Sequence, residues 1–112
     1  MNWKDLCLLR GSSSALHVKD NFVTSILCGA NLHNDFIEDD SIVYLVPKRS
    51  FYKKSIVSLT NNSNYEHPIQ VFQKANVNQW IDKGAFKISN ITEESNEIKV
   101  KLVIVTKKKE SV

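Results

Sequence analysis

Between Lys48 and Lys54 the chain reads KRSFYKK, four cations interleaved with two aromatic rings, and Lys74 stands at the end of the next apolar run. Lys and Arg neutralise phosphates, and rings such as those of Phe51 and Tyr52 stack on an exposed base, so the stretch has the make-up of a nucleic-acid contact. The charge distribution points the same way. Residues 41 to 88 hold seven cations against two acids, a net of +5, whereas residues 1 to 40 sum to −3 and residues 89 to 112 to +1. A polyanion would meet the middle of the chain. The competing view is that Phe51 belongs to the core while the lysines keep a surface helix soluble. Trp80, which follows the polar run Asn76, Val77, Asn78, Gln79, also has two readings: a core plug, which is favoured, or a platform for a ligand.

Catalytic chemistry finds less support. A hydrolytic nucleophile needs a base and a turn that exposes it, and Ser12, Ser13 and Ser14 follow Gly11 without the second glycine such an elbow uses. Asp82-Lys83 and Glu97-x-Lys99 are fragments of the acid and Lys arrangements of metal-dependent nucleases, and Lys99 reads better as the wet face of a strand. Glu38, Asp39 and Asp40 are consecutive, so on an extended chain they point in alternate directions and do not converge on one ion. His17, His33 and His67 are scattered. Cys7 and Cys28 lie outside any Cys/His-dense segment, which argues against zinc and for two reduced, partly buried thiols. With only Gly11, Gly29 and Gly84 there is no phosphate-cradling loop. No enzyme, metal or cofactor is expected.

These residues need elements to hold them. Trp3, Leu6, Leu8 and Leu9 predict a short helix or strand that packs one side on the domain, ended by Gly11 and its serines. Leu16 to Val18 and Phe22 to Leu27 predict a hairpin around Lys19-Asp20-Asn21, since Asp and Asn side chains bond the local backbone in turns. Gly29 to Asp40 reads as a loop. The run Ile42 to Val46 predicts a strand buried on both faces or central in a sheet, stopped by Pro47. Ser50 is placed to cap a helix reaching about Leu59, with Phe51, Ile56 and Leu59 on one side, and Asn61 to Asn64 as a loop. Strands follow at Ile69 to Phe72 and Trp80 to Ile91, where Gly84 permits a bulge. Ile98, Val100, Leu102 and Ile104 alternate with polar residues, which gives a strand with one face in the core. About six or seven strands without alternating long helices predict a mostly β (α+β) domain, a curved antiparallel sheet or small β-barrel with one or two short helices. Residues 1–106 form that single domain and 107–112 a charged tail.

At 112 residues, 42% hydrophobic and 24% charged, the chain is sized for one folded core. Asp5 and Arg10 interrupt the first apolar run too early for a signal peptide, and no stretch approaches the ~20 apolar residues of a spanning helix. A cytoplasmic location and no membrane partner are expected.

The stretches DDSIVYLVPKR, SLTNN, HPIQVFQK, NQWIDKGAFKISNI and EIKVKLVIV, over about residues 39 to 105, resemble the PUA/SRA-like DNA-reading domains attached to modification-dependent restriction enzymes. That resemblance implies a curved β-barrel that holds duplex DNA and turns a modified base, such as a modified cytosine, into a pocket. Lys48, Arg49, Lys53, Lys54 and Lys74 would then position phosphates, and Tyr44, Tyr52 or Trp80 would stack on the extruded base. Asp35 and Asp82 are the acids offered for reading the cytosine amino group. A nuclease domain or subunit would lie elsewhere, since none accompanies this stretch. The alternative function is a protein-interaction module or small inhibitor that grips an acidic partner.

Overall fold

The structure is a computed structural model and describes residues 1–29, 36–38 and 40–106. The first element is α1 (Trp3–Arg10), so the helix alternative holds for the N-terminus. Asn2 caps it, accepting the Asp5 N–H at 2.8 Å, and Gly11 ends it at φ 71 with its N–H on the Cys7 carbonyl. Helical geometry puts Leu6 and Arg10 inward and leaves Leu8 and Leu9 exposed, which corrects the expectation of one shared apolar side.

Next come β1 (Leu16–Lys19) and β2 (Phe22–Cys28), the expected hairpin. Asp20 and Asn21 both take positive φ, 55° and 68°, the conformation of a type I′ turn whose twist matches its strands. β3 (Phe36–Glu38) lies within the segment expected to be all loop, and pairs briefly with β4 (Ser41–Pro47). In β4 burial alternates: Ile42, Tyr44 and Val46 are inside while Val43 and Leu45 are half-buried. The strand is therefore packed on one face, with Ile42, Tyr44 and Val46 in the main core cluster.

Beyond Pro47 the chain makes a 3-10 turn, Ser50–Tyr52, and then α2 (Lys53–Asn64). Ser50 caps nothing, and the helix continues five residues past Leu59 through the asparagines expected to be a loop. Asn62 explains the extension. It is fully buried, its Oδ1 accepts the Val23 N–H at 2.7 Å, and its Nδ2 donates to the Val23 and His67 carbonyls at 2.9 and 3.1 Å. Tertiary bonds to β2 override its weak helix propensity.

β5 (Ile69–Asn76), β6 (Gln79–Glu93) and β7 (Glu97–Thr106) complete a seven-stranded sheet in the order β1-β2-β5-β6-β7-β4-β3. Every pairing is antiparallel except β2 with β5. The bulge expected at Gly84 is present: Val71 pairs with Gly84 and Phe72 with Asp82, and Gly84 sits at φ 99. α2 packs on β2 and β6, and its Leu59 joins Val71, Phe86, Val100 and Leu102 in the main core cluster, while a second cluster of Leu6, Leu27, Phe72 and Trp80 includes a residue of α1. No helix among the described residues is long and apolar enough to cross a membrane.

Candidate nucleic-acid interface

β1 is one edge of the sheet and β4 lies next to the other, yet Leu16 and Val18 of β1 line a single cleft of about 650 Å³ with Tyr44, Val46 and Pro47 of β4. Only a curled sheet brings strands so far apart in order to one opening. The volume is that of a small-ligand site. The 3-10 turn and the first turn of α2 add Phe51, Tyr52, Lys54 and Ser55 to the lining of the cleft. Backbone geometry delivers them there. Lys48 N–H bonds the Asn96 carbonyl at 3.0 Å and Arg49 N–H the Pro47 carbonyl at 2.9 Å, so the chain turns sharply off β4.

Three rings line the cleft. Tyr44 is 6% exposed and forms part of the floor, Tyr52 is half-buried, and Phe51 is 84% exposed with its ring edge-on to Tyr52 at 5.1 Å. An apolar ring so exposed excludes the core placement of Phe51 and puts an aromatic surface at the rim. Burial, with smaller contributions from Cys28 and Tyr52, pushes the Tyr44 phenol up to about 12, and Arg10 offsets part of it. The Tyr44 phenol is thus held in its neutral, protonated form well into the alkaline range. α2 begins with Tyr52 in the cap position, without a side-chain bond to the first turn and without an acid there, while Lys53 and Lys54 add charge to the positive end of its dipole.

The expected phosphate-binding residues divide. Arg49, Lys53 and Lys54 are exposed, and of these Lys54 lines the cleft, next in sequence to Lys53. Lys48 is ion-paired with Glu93 at 2.6 Å, a contact that holds the Glu93 carboxyl below its ordinary range. Lys74 lies apart, in a second hollow with Trp3 and Trp80. Trp80 is 7% exposed and packs in the cluster under α1, so it does not join Tyr44 and Tyr52. Asp82 is away from the cleft too: its carboxylate accepts from Gln70 Nε2 and from the Gly84 N–H at 2.9 Å, steadying the bulge. Asp35 lies outside the described residues.

The acid that does line the cleft is Glu97, the first residue of β7, opposite Pro47 in register. In the sequence Glu97 stood out only within the Glu97-x-Lys99 fragment and as part of a strand, not as a cleft residue. The available signal was that Pro47 ends one strand and Glu97 begins another, which matters only once the two are known to pair. Among the described residues no three His, Cys, Asp or Glu side chains gather to hold a metal, and Cys7 and Cys28 are not joined in a disulfide.

No protein-family model matches the chain, and no curated protein matches it in sequence. Solved structures do match its fold. The SUVH5 SRA domain in complex with hemimethylated CG DNA superposes with a TM-score of 0.80 at 18% identity, over 100% of this chain and 89% of that one. The SUVH5 SRA domain bound to fully hydroxymethylated CG DNA gives 0.77 at 21% identity, with 100% and 89% covered. KRYPTONITE in complex with mCHH DNA, an H3(1-15) peptide and SAH gives 0.76 at 10% identity, over 93% of this chain but 30% of that longer one. The curled sheet with its two helices is an SRA-like fold.

Proposed function

We propose that the chain is a non-catalytic module that binds double-stranded DNA and reads a modified base, such as a modified cytosine, turned out of the stack into the cleft between β1 and β4. The carrying observation is the cleft itself: Tyr44 and Tyr52 in its wall, Phe51 exposed at its rim, and Lys54 beside it. Aromatic faces recover the stacking an extruded base gives up. The Tyr44 hydroxyl donates, the Glu97 carboxylate accepts from an exocyclic amine, and Leu16, Val18, Val46 and Pro47 form an apolar wall that accommodates a methyl group. Arg49, Lys53 and Lys54, at the uncapped start of α2, hold the flanking phosphates. The complexes named for the similar SRA domains, with methylated and hydroxymethylated DNA, support this reading.

A nuclease or other catalytic unit belongs to another domain or subunit, with this chain as its specificity element. The sequence resemblance to restriction-enzyme readers supports that arrangement. Tyr52→Ala and Glu97→Gln test the cleft in duplex-binding titrations. Tyr52→Ala weakens binding to a modified duplex by roughly 5-fold or more, the scale of one lost stacking partner. Glu97→Gln reduces the preference for modified cytosine by about 1–3 kcal/mol, the worth of one base-edge contact. Asp82→Asn leaves the preference unchanged. Wild-type affinity and preference in both cleft variants, with their fold intact, overturn the assignment.

A further inference from the structure

The chain contains two tryptophans, and both line a second hollow of about 390 Å³ that adjoins the cleft at Ala15. Trp3 and Trp80 stand with ring centres 5.5 Å apart and planes inclined by 40°, an open wedge rather than a closed stack. Trp3 is 38% exposed, so part of its ring faces solvent. The wedge is built firmly. Met1 and Trp80 exchange backbone bonds at 2.8 and 3.0 Å, and the Trp3 N–H donates to Asn78 Oδ1 at 2.7 Å.

Lys74 is the register partner of Trp80 across β5 and β6, so the two side chains rise from the same face. A Cβ on Gly29 would lie 3.0 Å from the Lys74 Cβ, and this close approach braces the base of the lysine. The remaining polar groups are donors: Ser13 offers its hydroxyl, and Asn78, whose oxygen is committed to Trp3, offers its NH2. Among the described residues no acid lines the hollow. Flat indole faces beside a cation and neutral donors select a planar, acceptor-rich anion, the chemistry of a nucleotide.

We propose that this hollow is a second binding site, which takes a nucleotide unit with its base on the exposed part of Trp3, beside the largely buried Trp80, and its phosphate on Lys74. The inference does not depend on the cleft, and its readout is separate. Because both fluorophores line the site, tryptophan emission of the full chain reports occupancy directly. Thymidine 5′-monophosphate and a short oligothymidylate are the two probes, each titrated at several salt concentrations.

Saturable quenching by the mononucleotide supports a site for free nucleotides, and quenching by the oligothymidylate alone supports a site for a nucleotide within a strand. In either case Trp3→Ala, read through the remaining Trp80, weakens binding roughly 5- to 150-fold, the range for one lost stacking partner. Lys74→Gln flattens the dependence of log affinity on log salt by about 0.7 for the strand. Absence of saturable quenching by both probes overturns the proposal. So does quenching that Trp3→Ala and Lys74→Gln leave unchanged while circular dichroism shows both variants folded.

Discussion

Replacing Asn62 by Ala should be among the most damaging single changes on α2. The side chain is fully buried and makes three hydrogen bonds, to Val23 N, Val23 O and His67 O. Truncation leaves the buried Val23 N–H without its acceptor, at about 1–3 kcal/mol, and removes two further bonds at about 0.5–1.5 kcal/mol each. The sum is about 2–6 kcal/mol. A domain of this length has a total stability of about 6–17 kcal/mol, so the loss is a large fraction of it. Urea denaturation followed by circular dichroism measures it: with a slope of about 2 kcal/mol/M, the midpoint falls by about 1–3 M at unchanged slope. Asn61→Ala is the control, since Asn61 makes one bond, to the Asn21 carbonyl at 3.0 Å, from a more exposed position. Asn62→Asp should not rescue, because a carboxylate cannot donate to the two carbonyls. Midpoints for Asn62→Ala and Asn61→Ala that agree within error would refute the claim that Asn62 ties α2 to β2.

The Tyr44 phenol, raised to about 12 by burial, favours the folded state fully below the unfolded value near 10 and loses that contribution as pH rises through about 12. The expected loss is about 2–3 kcal/mol, absent in Tyr44→Phe, and ultraviolet titration should show one tyrosine ionising only as the fold opens. Gly29→Ala should destabilise by about 1–3 kcal/mol, since Gly29 sits at φ 146 and its new Cβ would meet Lys74 Cβ at 3.0 Å; thermal melting checks this. Phe51→Ala should leave the melting temperature unchanged, because the ring is 84% exposed, while weakening duplex binding in the same titrations used for Tyr52→Ala.

Local signals carried much of the fold. The alternation from Ile98 to Ile104, the Asp20-Asn21 turn and the bulge at Gly84 each depend on a few neighbouring residues, and each appears where local chemistry places it. The length of α2 was not legible, because Asn61 to Asn64 favour loops by themselves and only the distant Val23 backbone makes Asn62 a helix residue. The same holds for the site. Tyr44, Tyr52 and Lys54 stood out by type, and the structure brings them to one cleft. Trp80, equally prominent by type, is drawn into the cluster under α1 by Leu6, Leu27 and Phe72. Glu97 stood out only as part of a Glu-x-Lys fragment, and its place in the cleft follows from the β4–β7 pairing that sets it opposite Pro47. Lys48 looked like a free cation until β6 delivered Glu93 to it.

The central claim is that the β1–β4 cleft reads a modified base in duplex DNA. Fluorescence anisotropy with matched duplexes, unmodified or carrying 5-methylcytosine or 5-hydroxymethylcytosine, tests it across a salt series. The account predicts tighter binding to one modified duplex by roughly 5-fold or more, as one base-edge contact supplies. It also predicts affinity that falls with salt at about 0.9 powers per phosphate contacted. Equal affinity for all duplexes at every salt concentration, or no binding at low salt, would contradict it.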